Sequence, residues 1–83
     1  MRLRTEDIAW QELDGRLVVL DLTASSYLEA NETGTFLAGL LREERSLDDL
    51  RDALVAEFGI APELAEADAR AYVDDLRSHG LLA

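Results

Sequence analysis

The chain has 83 residues, 48% of them hydrophobic, with eight Arg and no Lys against eighteen Asp and Glu, a formal net charge of −10. That composition fits one domain with a modest core, and zero Cys excludes disulfides, thiolate nucleophiles and Cys-based zinc sites. A field of this sign repels phosphate backbones and anionic membranes and favours a basic partner, although solubility alone also accounts for it.

The start, Met1-Arg2-Leu3-Arg4-Thr5-Glu6-Asp7, turns acidic before any long apolar run, so no signal peptide is expected. The longest apolar run, Leu17-Val18-Val19-Leu20, is too short to span a bilayer. The expectation is a soluble cytoplasmic protein.

Strands are predicted over 8–13 and 16–22, flanking Asp14-Gly15, a strong two-residue hairpin signal. That turn sets Leu13 opposite Arg16, Gln11 opposite Val18 and Trp10 opposite Val19. Ile8, Trp10, Leu17 and Val19 then share one face, and Leu13, Val18, Leu20 and Leu22 the other. Thr23-Ala24-Ser25-Ser26 supplies the next turn, and a third strand is predicted over 26–30. Its outer edge has no obvious partner in so short a chain. Edges are usually guarded by Lys, Pro or a bulge; this chain has no Lys, and its one Pro, Pro62, is far away.

Asn31 is a good N-cap for a first helix over 32–44, with Phe36, Leu37, Leu40 and Leu41 at helical spacing. Ser46 caps a second over 47–58, which carries Leu47, Leu50, Leu54 and Phe58 and stops at Gly59. Pro62 opens a third over 62–79, with an apolar stripe of Ala65, Ala69, Tyr72, Val73 and Leu76 and Gly80 as its stop. The predicted class is α+β, a winged helix-turn-helix-like fold with a three-stranded antiparallel sheet followed by three helices, in a single domain over 1–83.

Winged folds commonly read DNA, but the helices argue against it here. A recognition helix presents Arg, Lys, Asn or Gln to the major groove. The third helix carries Glu63, Glu66, Asp68, Asp74 and Asp75 against Arg70 and Arg77, and the second carries Asp48, Asp49, Asp52 and Glu57 against Arg51. No nucleic-acid or membrane partner is expected. Catalysis lacks its parts as well. His79 is the one His and falls in a last helical turn, where a structural role suffices. Asp48, Asp49 and Asp52 fit the first half of a helix better than a metal site. No catalytic residue, metal or cofactor is expected, and the chain is not read as an enzyme.

What remains is a binding module. A peptide added to the third strand gains main-chain hydrogen bonds, and pockets between that strand and the third helix read its side chains. Tyr27 and Tyr72 either line such pockets or close the core. Asp68 and Asp75 lie on one flank of the third helix and favour a Lys- or Arg-bearing peptide. Proline at position 28 tests strand addition, provided that the Leu28 N–H faces outward.

The run Val19-Leu20-Asp21-Leu22, then Tyr27-Leu28-Glu29-Ala30-Asn31-Glu32-Thr33-Gly34, resembles the core signature of PqqD-like proteins, the peptide-recognition domains of ribosomal natural-product pathways. Leu47, Phe58, Asp68-Ala69, Tyr72-Val73, Leu76 and Gly80-Leu81-Leu82 continue the pattern, which covers about Ile8 to Leu82. The sequence departs from it at Ala30, where Leu is common, and at Ala69, where a larger aliphatic is usual; both enlarge the space near the strand–helix junction. The resemblance implies that Tyr27, Leu28, Glu29 and Ala30 pair with the leader of a precursor peptide, with Asp68, Ala69, Tyr72, Val73, Asp75 and Leu76 beside them. It further implies presentation of the peptide to a separate transglutaminase-like cysteine leader peptidase, as in lasso peptide biosynthesis. Two alternatives stand beside this: delivery of a precursor to a radical SAM enzyme in pyrroloquinoline quinone synthesis, and a generic peptide or protein adaptor.

Overall fold

The structure is a computed structural model that describes residues 1–22, 26–29 and 31–83, the segment 26–29 by its backbone. Strand β1 (Ile8–Leu13) and strand β2 (Arg16–Asp21) form an antiparallel hairpin. Asp14 and Gly15 both have positive φ, 54° and 76°, which is the backbone of a type I′ turn. The turn fixes the register: Leu13 opposite Arg16, Gln11 opposite Val18, Trp10 opposite Val19. Strand β3 (Ser26–Glu29) pairs antiparallel with β2, giving the order β1-β2-β3.

The predicted fold needs correcting. The sheet described with its side chains is a two-stranded antiparallel hairpin, not three complete strands. The third segment joins it only through the four backbone pairs of Ser26–Glu29, and Ala30 and the turn residues 23–25 lie outside the described residues. Strand β2 also stops at Asp21, one residue early. The Leu22 N–H donates to the Asp7 carbonyl at 2.8 Å, but Asp7 has φ 57° and breaks the extended ladder there. Every strand precedes the first helix, so among the described residues no hairpin follows the helices as a wing. The α+β class holds.

Helix α1 (Glu32–Leu40) opens on Asn31, whose Oδ1 accepts from the Gly34 N–H at 2.9 Å. It ends four residues before the predicted boundary. Glu43 and Glu44 oppose the negative end of the helix dipole, and the Arg45 Nε donates instead to the Leu40 carbonyl at 3.3 Å. Helix α2 (Leu47–Phe58) starts with a reciprocal capping box: Asp49 N–H to Ser46 Oγ, 3.1 Å, and Ser46 N–H to Asp49 Oδ2, 2.9 Å. Helix α3 (Pro62–Ser78) ends in a Schellman motif. Gly80, at φ 68°, donates to the Arg77 carbonyl and Leu81 to the Leu76 carbonyl, turning Leu81 back into the core.

Leu17 and Val19 on one face of the hairpin pack with Leu37, Leu41, Leu50, Leu54, Ala65, Ala69, Val73 and Leu76, all buried. Phe36 and Phe58 meet edge to face at 5.5 Å between α1 and α2. The N-terminal segment is sewn between the α1–α2 loop and the chain end: Leu3 N–H to Leu41 carbonyl, Arg4 N–H to Leu81 carbonyl, both 2.8 Å. Buried Asp21, on the core side of β2, is paired with Arg4 at 3.1 Å.

Candidate peptide-binding groove

The phase of the hairpin decides which backbone groups the β3 edge offers. A two-residue turn makes Leu13 and Arg16 a hydrogen-bonded pair, and such pairs then alternate along an antiparallel ladder. Leu22 donating to Asp7 keeps that phase. Leu17, Val19 and Asp21 therefore turn their backbone groups away from β1, and the Leu17 N–H indeed donates to Thr35 Oγ1 at 3.1 Å. Val19 lies opposite Leu28 and Asp21 opposite Ser26. The backbone of Ser26 and Leu28 is thus bonded to β2, and the N–H and C=O of Tyr27 and Glu29 point to the outer edge.

Where the chain enters α1, two residues past the end of β3, a groove of about 690 Å³ opens between the first turn of α1 and one flank of α3. Asn31, Thr33 and Gly34 form one wall; Asp68, Ala71, Tyr72, Asp74, Asp75 and Ser78 form the other. Asp68, Tyr72 and Asp75 follow one another at helical spacing, so a single stripe of α3 faces this space. Three carboxylates make it strongly anionic. Asp74 is paired with Arg77 at 3.4 Å, while Asp68 has no ion-pair partner among the described residues.

Tyr72 is half-buried, and burial, reinforced by the negative charge of Asp75, pushes its hydroxyl up from 10.0 to about 12. Its Oη is buried and, among the described residues, has no hydrogen-bond partner. His79 caps α3 with Nδ1 2.8 Å from the Asp75 carbonyl, which places its proton on Nδ1. That imidazole serves the helix end.

Of the residues singled out in the sequence, the structure brings Asp68, Tyr72 and Asp75 together on the groove. It turns Ala69, Val73 and Leu76 inward, where they are 0%, 3% and 0% exposed. Their side chains back the wall and cannot touch an occupant while the core is packed, so the α3 contact set narrows to the outward stripe. Ala69 opens no space, because the helices close over it. Tyr27, Leu28 and Glu29 are placed by backbone alone, and Ala30 lies outside the described residues. Sequence reasoning missed Ala71, Asp74 and Ser78, together with Asn31, Thr33 and Gly34. The 68–71–75–78 spacing was the available signal for Ala71 and Ser78. Among the described residues no cluster of His, Cys, Asp or Glu is arranged to hold a metal, and no helix is long and apolar enough to cross a membrane.

Fold and groove together define a small α+β domain whose last strand leads directly into a helix-walled, acidic groove. Residues 16–82 match the family model described as coenzyme PQQ synthesis protein D, and the chain belongs to this PqqD family. Two solved structures are similar to it. TbiB1 in complex with the TbiA(beta) leader peptide superposes with a TM-score of 0.87 at 24% identity, covering 99% of this chain and 94% of that one. A lasso peptide synthetase B1 complexed with the leader peptide gives 0.83 at 29% identity, covering 96% and 93%. Comparison with curated proteins gives no match.

Proposed function

We propose that this chain, as one PqqD-like domain over 1–83, binds the leader segment of a ribosomally made precursor peptide. It presents that peptide to a separate leader peptidase in lasso peptide biosynthesis, in the cytoplasm and without chemistry of its own. What supports this reading is the register of β3, whose ladder phase turns the backbone groups of Tyr27 and Glu29 away from β2, in a strand that leads into the acidic groove. The similar structure of a lasso peptide synthetase B1 complexed with the leader peptide supports it.

The leader adds to β3 as a further strand, bonding to Tyr27 and Glu29 and lying along Asp68, Tyr72 and Asp75. Leu28 belongs to the same edge segment, and Ala69, Val73 and Leu76 support the wall from behind. The acid-lined space selects a leader with Lys or Arg. A second reading, delivery of a precursor to a radical SAM enzyme in pyrroloquinoline quinone synthesis, is favoured by the family match alone.

The test is titration of the labelled protein with the synthetic leader of the precursor encoded beside it, followed by amide NMR. Saturable shifts at Tyr27–Glu29 and along Asp68–Ser78 are expected. A folded protein whose amides there do not respond to that leader overturns the reading.

A further inference from the structure

The sheet has a second edge. Among the described residues strand β1 pairs only with β2, and the ladder phase that turns Tyr27 and Glu29 outward on β3 also turns the N–H and C=O of Ile8, Trp10 and Glu12 outward on β1. Beside them lies a hollow of about 430 Å³ lined by Leu3, Thr5, Trp10 and Arg42. Trp10 is half-buried at its wall, and the Arg42 guanidinium stacks 5.0 Å from the ring centroid.

Arg42 is exposed and makes no ion pair among the described residues, in a chain where acidic side chains outnumber basic ones by more than two to one. Stacking on the indole holds the guanidinium in place and leaves its N–H fork for a planar anion. The two edges thus carry grooves of opposite sign: three carboxylates beside β3, one guanidinium beside β1.

We propose that the β1 edge is a second docking surface, built for an extended segment of a partner protein that carries a carboxylate. The segment pairs with the backbone of Ile8, Trp10 and Glu12. Its carboxylate meets Arg42 bidentately, and an apolar side chain enters the hollow between Leu3 and Trp10. Trp and Arg are the side chains that most often anchor protein interfaces. A second copy of this chain is a poor occupant, because each copy brings a net charge of −10. The surface stands whether or not β3 holds a leader peptide, and a protein using both edges holds two extended partners at once.

The test titrates the ¹⁵N-labelled full chain with a capped Thr/Val-rich heptapeptide bearing one central glutamate, and with its lysine counterpart. The glutamate peptide is expected to shift the amides of Ile8 to Glu12 and the Trp10 indole N–H, with a dissociation constant of about 1 mM. The lysine peptide leaves them in place, and Arg42→Gln weakens the glutamate peptide about tenfold. Arg42 is exposed, so the variant keeps the fold, which its amide spectrum reports. An equal response to both peptides overturns the proposal, as do shifts confined to Tyr27–Glu29 or no response at several times that concentration. Concentration-dependent broadening of Ile8 to Glu12 without peptide overturns it in favour of self-pairing.

Discussion

Val19 and Leu28 lie directly opposite one another in the β2–β3 ladder, and the hairpin phase makes them a hydrogen-bonded pair. The Leu28 N–H is therefore committed to β2. A proline at position 28, which sequence reasoning chose as the test of strand addition, acts on the fold instead. Leu28→Pro is expected to destabilise the protein by at least about 1 kcal/mol through the lost ladder bond. Glu29→Pro removes an outward donor, which edge strands tolerate. It should keep the melting temperature near that of the parent and weaken leader binding about fivefold, one hydrogen bond's worth. Thermal melts beside a binding titration separate the two. Equal damage to folding by both prolines would show that the ladder phase is other than described.

Charge on the α3 flank makes a kinetic prediction. Asp68 is exposed on the groove with no ion-pair partner among the described residues. Asp68→Lys should leave stability within about 0.5 kcal/mol. It should slow association with a basic leader about two- to fivefold at low ionic strength, and flatten the salt dependence of the on-rate. Stopped-flow association across a salt series measures both. An unchanged on-rate would remove steering by this flank.

Much of this architecture is legible in the sequence because the signals are local. Asp14-Gly15 dictates a type I′ turn, and with it the register and the split of Leu17 and Val19 from Leu13 and Leu22. Ser46, Pro62 and Gly80 mark helix ends by capping chemistry that acts within one turn. The illegible parts depend on tertiary context. Polarity sets Asp68 and Asp75 apart from Ala69, Val73 and Leu76, but nothing in the sequence says whether Tyr72, at the border of that apolar stripe, lines the groove or joins the core. Only the packing of α2 and the sheet decides which face closes. The early end of α1 likewise depends on Arg45 reaching back to Leu40.

Tyr72 predicts an alkaline slope. Its folded-state value of about 12 stands above the ordinary 10.0. Below pH 10 both states keep the proton and the contribution is intact. Between about pH 10 and 12 the unfolded chain gives up the proton while the folded one retains it, so stability falls by up to about 1.4 kcal/mol per pH unit. Tyr72→Phe should remove that slope. At neutral pH it should be neutral or stabilising by about 1 kcal/mol, because an unpartnered buried hydroxyl is deleted. Denaturant melts of both proteins from pH 8 to 11.5 measure this. Marked destabilisation by Tyr72→Phe at pH 7 would mean that the hydroxyl has a partner.

The Ser78 end of the groove wall depends on how α3 stops, and a pair of glycines isolates that effect. Gly80 and Gly39 both have nothing within 4 Å of an added Cβ, so neither substitution meets a steric obstacle. They differ in backbone alone. Gly80 has φ 68° and closes the Schellman motif that holds Ser78 at the groove and turns Leu81 into the core. Gly39 lies within α1. Gly80→Ala should cost about 1–2 kcal/mol, the left-handed penalty of an L-residue. Gly39→Ala should stabilise by roughly 0.5–1 kcal/mol by restricting the unfolded chain and improving helix propensity. If the two substitutions shift the urea midpoint in the same direction, backbone conformation is not what ends α3. The loss in Gly80→Ala should appear with broadened amides at Asp75 to Leu82, whereas Gly39→Ala should leave the groove residues unmoved. Opposite signs from the same added methyl group follow only if the last turn of α3 is held by Gly80 itself.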